Sequence, residues 1–250
     1  MGFGNKWSRH GVMSSSTELS AYMPETRKMS QGNLTSMLNK YGMVYVKPVN
    51  GSMGVGVMRV EKRGKGIRCQ AGTVRRSFPD VASGYEAIRD FAGGKAYMVQ
   101  MGIRLKKYRG RPFDLRIMVQ RKPGGPWKVT GIAGRLAHPR KIVTNGSQGG
   151  TIYPASVLLP GSEALINRMK GISLRTVRRL HAVYPGLKQI GLDMAVDTQG
   201  RPWIIEANTK PDPCPFTKLP SHAALREIVS HGKAWGIHYK LKCLKSHRGR

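Results

Sequence analysis

Three side chains late in the chain have the types and spacing to hold a hard cation. Asp193 lies in QIGLDMAVD, and Glu206 and Asn208 lie in PWIIEAN, with Thr198-Gln199-Gly200 as a turn between them. If the two runs pair as a hairpin, Asp193 falls on one strand and Glu206 and Asn208 on its neighbour. The spacing of two puts Glu206 and Asn208 on one face. Two carboxylates and an amide oxygen suit Mg²⁺, which prefers oxygen ligands and keeps positions open for phosphate. A hairpin with one polar face in water would show similar alternation. Against that, only 13 of 250 residues are acidic, yet Asp193 and Glu206 both fall within the strands of this otherwise apolar hairpin.

A second group suits phosphate. Lys47 leaves the strand-like run MVYVKP, and Gly51-Ser52-Met53-Gly54-Val55-Gly56 follows it. Glycines let backbone N–H groups approach an anion with no Cβ in the way. GxxxxGK[ST] is absent, so this is not a Walker A loop, and taken alone the segment also reads as an ordinary turn. Arg116 in FDLR and Arg135 in GRLA lie on two runs that read as neighbouring strands, where guanidinium forks can grip phosphate. Asn145 and Gly149-Gly150 form one more polar turn. The seven histidines show no paired metal-ligand spacing, and no GxSxG or Cys–His arrangement points to a hydrolase.

These groups need a scaffold of mixed strands and helices. Gln31 to Lys40 reads as a helix with Leu34, Met37 and Leu38 on one face. Strands follow at 43–48 and from Val57, then two short ones within 66–77. A helix from Ser83 ends at Gly93-Gly94, and a strand runs from Ala96 to Met101. FDLRIMVQRK and WKVTGIAGRLA read as two strands joined at GGP. Ser162 to Val183 is the clearest helix, with Leu165, Met169, Ile172, Val177 and Leu180 as its apolar face. Residues 1 to 30 show no sustained period beyond a short helix capped by Ser16 or Thr17. Hairpins mixed with helices in this order indicate an α+β fold rather than a doubly wound parallel sheet.

Length and a 40% hydrophobic content are those of a folded chain. No apolar run approaches the roughly 18 residues that span a bilayer, and the start lacks a secretory core, so the expectation is a soluble, cytoplasmic protein. Cys69, Cys214 and Cys243 show no metal-ligand spacing and are expected as reduced thiols. The net charge of +30 makes polyanions candidate partners. Residues 104–140 hold eleven Lys or Arg with Asp114 as the only acid, and 231–250 hold six with none.

Taken in order, the lysine on a strand, the Gly-rich hairpin, Val99-Gln100 at a lobe junction, DxR, R then N…GG, and D…ExN resemble the ATP-grasp superfamily over roughly residues 24–215. Within it, PET at 24–26, YVKPVNGSMGVGV, FDLRIMVQ and TNGSQGG look most like the endospore-coat-associated YheC/YheD family. The DxR and N…GG elements are also similar to those of ribosomal-protein glutamate ligases and bacterial glutathione synthetases. The resemblance implies an ATP-grasp fold, two α/β lobes whose antiparallel sheets clasp the nucleotide, with ATP and Mg²⁺ as cofactors. Lys47 would contact the phosphates, Ser52, Met53 and Gly54 would form a phosphate lid, and Gln100, Met101 and Ile103 would form the adenine hinge. Arg116 and Arg135 would be catalytic, stabilising transferred phosphate. Asn145, Gly149 and Gly150 would shape the acceptor site, and Asp193, Glu206 and Asn208 would hold Mg²⁺.

The implied activity is ATP-dependent ligation of a carboxylate to an amine or similar nucleophile, with an anionic acceptor and a spore association. The alternatives are a non-catalytic nucleotide-binding spore-coat component and a basic nucleic-acid-binding protein. The domain reading is 1–30 as remnant or linker of an N-terminal domain, 31–101 as the first lobe with loop and hinge, and 102–250 as the second lobe with a basic tail. One departure stands out. Family members usually place an acid just after the hinge to bind ribose, and IRLKKYRG at 103–110 has none.

The charge yields a first prediction. DNA, RNA and acidic polypeptides should all bind weakly, without sequence preference, and the binding should fall steeply with salt through counterion release. Titration at low and near-physiological salt checks this. Nanomolar binding of one oligonucleotide but not its scrambled version would contradict it.

Overall fold

The computed structural model describes residues 2–51, 53–144, 149–243 and 246–249. In chain order the elements are α1 (Lys6–Ser14), α2 (Thr17–Ser20), β1 (Thr26–Lys28), α3 (Gln31–Tyr41), β2 (Met43–Pro48), β3 (Met58–Arg63), β4 (Gly66–Ala71), β5 (Val74–Phe78), α4 (Val81–Ala92) and β6 (Tyr97–Met101). They continue with β7 (Lys107–Tyr108), β8 (Arg111–Gln120), β9 (Lys128–Leu136), β10 (Thr151–Tyr153), α5 (Ala155–Leu158), α6 (Glu163–Val183), β11 (Gln189–Val196), β12 (Pro202–Asn208), α7 (Ala223–Lys233) and β13 (His247–Arg248), with a 3-10 helix at Cys214–Lys218. The chain divides into a smaller unit, Pro24–Arg104 with His138–Val143, and a larger one, Met1–Met23 with Leu105–Ala137 and Thr144–Arg250.

The smaller unit is an antiparallel sheet in the order β1-β6-β2-β3-β4-β5. Strict alternation in β2 sends Val44 and Val46 into the core, and Tyr45 and Lys47 to the other face. Helices α3 and α4 supply the other half of that core, with Leu34, Met37, Leu38 and Ile88 buried beside Val60 and Val99. Burying each such side chain stabilises by about 1.5–3 kcal/mol. Ser30 and Asp80 cap the two helices by accepting from the N–H of Asn33 and Ser83. Gly42 and Gly93 end them in the left-handed region.

The larger unit is a sheet in the order β12-β11-β8-β9-β10-β13, with β7 hydrogen-bonded to β8. Its pairs are antiparallel except β10 with β13. Helix α6 covers one face through Met169, Ile172, Val177 and Leu180. Ser173 and Thr176 sit in the same buried stripe, their hydroxyls satisfied by the carbonyls of Met169 and Ile172. Phe216 of the 3-10 helix and Ile228 of α7 pack on Met118 and Ala133. Strand β11 is therefore buried along its whole length, unlike an antiparallel strand with one wet face.

Two expectations are corrected. Residues 1–23 do not stand apart but pack with the larger unit, with Met13, Leu19 and Met23 buried in its core. Residues 24–30 join the smaller unit through the β1–β6 pairing, and the boundary falls at Arg104/Leu105 rather than after Met101. Nor are all three cysteines thiols. Cys214 and Cys243 form a disulfide with Cα atoms 5.6 Å apart, which fastens the segment ahead of β13 to the 3-10 helix, and Cys69 remains a buried thiol. Among the described residues no helix is long and apolar enough to cross a membrane.

An ionic cluster ties the start of the smaller unit to α3. Glu25 accepts from Lys40 Nζ at 2.8 Å, from the Tyr41 hydroxyl, and from Arg27 Nε at 2.7 Å. Lys40 and then Tyr41 are the main reasons its carboxyl is lowered to about 2. A carboxyl depressed in the folded state stabilises fully above its ordinary range. That contribution is lost as pH falls from about 4.5 toward about 2. Glu25→Gln should therefore flatten part of the acid limb of stability against pH in urea unfolding. An unchanged acid limb would show that the cluster contributes nothing.

Candidate functional site

In the larger unit the candidate residues lie on three central strands and an edge strand. Asp193 on β11 is in register with Arg116 on β8 and with Glu206 on β12, and Gly191 pairs with Asn208. Directly opposed residues point to the same face, so Arg116, Asp193, Glu206 and Asn208 share one side of the sheet. Asp114 and Arg135, paired between β8 and β9, continue it. A bulge makes this compatible with the core. The register shifts at Asp193/Met194, so that Ile204 pairs with Met194 although Glu206, two residues on, pairs with Asp193. In a regular strand Ile204 and Glu206, two residues apart, would face the same way, and a bulge that takes up Ile205 lifts that constraint. With it, Ile204 enters the apolar core while Glu206 stays on the polar side.

Charge on this face is compensated almost completely. Arg116 donates to Asp193 through Nε at 2.6 Å and Nη2 at 3.3 Å. Arg135 grips Asp114 through Nε at 2.7 Å and Nη2 at 2.5 Å, and its Nη2 also lies 3.0 Å from Asp193 Oδ2. The Thr144 hydroxyl donates to Asp114 at 2.6 Å. All four charged residues are buried. Burial pushes the Asp193 carboxyl up, but Arg116 and Arg135 outweigh it and hold the group below the usual carboxylate range. For Arg135, burial is opposed by Asp114 and Asp193, which together raise it well above its ordinary value. Gly191 makes room for the array, since a Cβ there would lie 2.6 Å from Pro211 Cβ and 3.3 Å from Arg116 Cδ.

Sequence reading missed one charged neighbour. Lys6, on α1, places Nζ 3.4 Å from Glu206 Oε1 with its side chain only 8% exposed. Arg9, one turn on, donates to the carbonyl of Ala207 at 2.9 Å. The N-terminal helix thus packs on β12 through polar contacts and brings an ammonium to the carboxylate that, among the described residues of this face, Arg116 and Arg135 do not bind. Its only sequence signal was a lysine beside an N-capping Asn5.

Glycine 149 adopts φ +85°, and the carbonyl of Gly150 accepts from His247 N at 3.2 Å. The basic tail is therefore bound to the turn expected to shape an acceptor site. Asn145 lies outside the described residues, as does Ser52.

In the smaller unit, Lys47 Nζ donates to Gln100 Oε1 at 2.5 Å, and Gln100 Nε2 donates to Thr26 Oγ1 at 3.0 Å. The loop after Lys47 carries Gly51, Met53, Gly54 and Gly56 at positive φ. Such local geometry turns successive N–H groups toward an anion. Met53 is unusual there as a non-glycine at φ +59°, and it is 58% exposed. A Cβ at Gly56 would lie 2.8 Å from the Tyr97 hydroxyl. In the expected hinge, the N–H of Met101 is bound to the Glu25 carbonyl at 2.8 Å and so is already engaged within the sheet. Ile103 is buried.

The donor chemistry on the polar face fits a hard divalent cation. Glu206, 24% exposed in its side chain, Asp193 and Asn208 would each ligate through oxygen. Among the described residues no three His, Cys, Asp or Glu side chains gather as a metal group, so the set depends on the amide of Asn208. The phosphate candidates fit equally, with an ammonium beside a glycine-rich run of left-handed backbone.

Solved structures with this fold include D-cycloserine synthetase, with a TM-score of 0.59 at 11% identity over 93% of this chain and 71% of that one. The D-alanine–D-alanine ligase of Coxiella burnetii gives 0.54 at 13% identity over 93% and 58%. The fold is thus the α+β fold of the ATP-grasp class. The YheC/D-like ATP-grasp family model matches residues 1–234, and the chain belongs to that family. It is 25% identical to the endospore coat-associated protein YheD of Bacillus subtilis over 95% of its own length, and 23% identical to YheC of the same organism over 84%. It spans 54% and 60% of those two relatives.

The buried ion array generates a stability prediction. Arg135→Met should leave Asp114 and Asp193 buried with one fewer cation and cost about 3–5 kcal/mol in urea unfolding. A loss below about 1 kcal/mol would show that the array tolerates an uncompensated carboxylate.

Proposed function

We propose that this chain is the ATP-grasp portion of a Mg²⁺- and ATP-dependent carboxylate ligase. The observation that supports it most is the register of Arg116, Asp193 and Glu206 across three adjacent strands, in a chain of the ATP-grasp family. On this reading Lys47 and the backbone of the 51–56 loop take nucleotide phosphates, and Met101 and Ile103 take adenine. Asp193, Glu206 and Asn208 hold Mg²⁺, whose contribution is to neutralise charge on the phosphates.

In the proposed reaction, a substrate carboxylate oxygen attacks the γ-phosphorus of ATP, the bond to the β-phosphate oxygen breaks, and ADP leaves. The nucleophile, an amine in the simplest case, then attacks the acyl carbon, phosphate departs, and the nitrogen loses a proton to solvent. Phosphoryl transfer asks little covalent chemistry of the protein, so its residues act by positioning and electrostatics. Arg116 serves two ends, fixing Asp193 and leaving part of its guanidinium directed at the Asp212 carbonyl, 3.4 Å from Nη1. Arg135 acts through Asp193 as a positioning residue, since its Nη2 reaches both Asp114 and Asp193. Gly149 and Gly150, with Asn145, are assigned to the acceptor side. An anionic acceptor suits the charge of +30.

A second reading, a nucleotide-binding component of the spore coat without turnover, draws on one observation: both oxygens of Asp193 already accept from arginines. ADP release separates the two. With ATP, Mg²⁺ and pooled carboxylates and amines, the ligase reading expects ADP only when a productive pair is present. Glu206→Ala should lower that rate at least a hundredfold, roughly 2.7 kcal/mol, in a protein that still folds. Lys47→Ala should weaken ATP far more than adenosine. Nucleotide binding without ADP release in any pool would favour the second reading.

A further inference from the structure

The larger unit contains a cavity of about 440 Å³ that the preceding roles do not use. Its walls are mainly apolar, formed by Phe3, Leu187, Pro211 and Ile237, and two ammonium-bearing side chains, Lys188 and Lys210, also line it. Among the described residues no carboxylate lines it. A cavity of this size accommodates a small organic molecule, and a few charged groups on apolar walls fix such a ligand's orientation.

Its position links it to the polar face. Gln189, another lining residue, is on β11 and shares the face of Gly191 and Asp193 by the alternation of the strand. Four residues of strand put it about 13 Å from Asp193. Tyr239, also in the wall, donates to Gln189 Oε1 and accepts from Gln120 Nε2, so that end of the cavity is braced by hydrogen bonds within the sheet. On the other side, Thr209, Lys210 and Pro211 continue directly from Asn208, and Pro211 packs against Gly191. One short segment therefore forms both a wall of the cavity and the border of the candidate metal residues.

We propose that this cavity is a subsite for an apolar carboxylic acid, its hydrocarbon or aryl body between Phe3, Leu187 and Ile237 and its carboxylate at Lys210, beside Asn208. Lys188 supplies a second positive charge at the wall, and also lies 4.9 Å above the Trp235 ring. This rests on the ligase reading, to which it adds a substrate class: acids with a bulky apolar body rather than small polar ones. Acidic ligands are favoured over neutral ones of the same shape because the lining offers cations and no anion.

Gly186 provides a selective test. It lines the cavity, its φ is not in the left-handed region, and a Cβ there would meet nothing nearer than Phe3 Cε1 at 3.8 Å. Gly186→Leu should thus fill the cavity without a clash. Calorimetric titration of the full chain with 3-phenylpropanoate and octanoate should show saturable binding, at least tenfold tighter than for 3-phenylpropanamide. Gly186→Leu should weaken both acids at least tenfold while MgATP binding is unchanged. Lys210→Gln should remove the preference for the acid while the amide binds as before. The proposal is overturned if neither acid binds saturably, or if folded Gly186→Leu binds them as the parent does. Acid binding that is lost in Gly186→Leu, with no ADP release for any amine, would keep the subsite and sink the ligase reading. ADP release driven by acetate or glutamate and indifferent to Gly186→Leu would do the reverse.

Discussion

Asp193 sits between two guanidinium groups in the middle of a sheet that is covered on both faces, and the arrangement around it follows from the need to neutralise that charge. A lone buried carboxylate would be protonated or would destabilise the fold. Arg116 and Arg135 prevent this, but Arg135 in turn requires Asp114, and Asp114 takes a further hydrogen bond from Thr144. The result is a neutral array of two acids and two bases spread over β8, β9 and β11. Breaking one member leaves the others unbalanced, so strands far apart in sequence are coupled through electrostatics as well as backbone pairing.

The same constraint explains why the neighbouring strand needs an irregularity. Strand β12 must deliver Ile204 to the α6 side and Glu206 to the side of Asp193, which regular alternation forbids, and the single bulge resolves the conflict. It also explains the polar attachment of α1. Glu206 is the acid on this face that the arginine network does not bind, and Lys6 approaches it from a helix with little apolar surface of its own. Site chemistry and fold geometry are hard to separate here.

Much of this was legible in the sequence, for identifiable reasons. Strand β2 announces itself by alternation, the β11–β12 hairpin by two apolar runs around the turn Thr198-Gln199-Gly200, and α6 by Met169, Ile172, Val177 and Leu180 at helical spacing. The family pattern named the polar residues that share the face. Helix α1 was not legible, because Met13 is its one buried apolar residue and much of its attachment is polar, through Lys6 and Arg9. Strands β1, β10 and β13 are too short to show any period and exist only through their partners. The Cys214–Cys243 pairing leaves no trace in spacing, since it joins a 3-10 turn to the tail across an intervening helix. Least visible was the ion array. Arginines are common in a chain this basic, and only the register shows which two of them face acids.

The parallel pairing of β13 with β10 has a consequence for the order of events during folding. Strand β10 follows β9 closely in the chain, whereas β13 lies beyond α6, the β11–β12 hairpin and α7. Contacts of such long sequence separation form late, because loop closure must precede them. Until then β10 is an open sheet edge, the kind of surface that recruits strands from other molecules. The tail that eventually covers it is dense in lysine and arginine, and the chain as a whole repels its copies, so the period of exposure is guarded by like charge. Once β13 is seated and its segment is fastened through Cys243, the same edge is closed from within a single molecule.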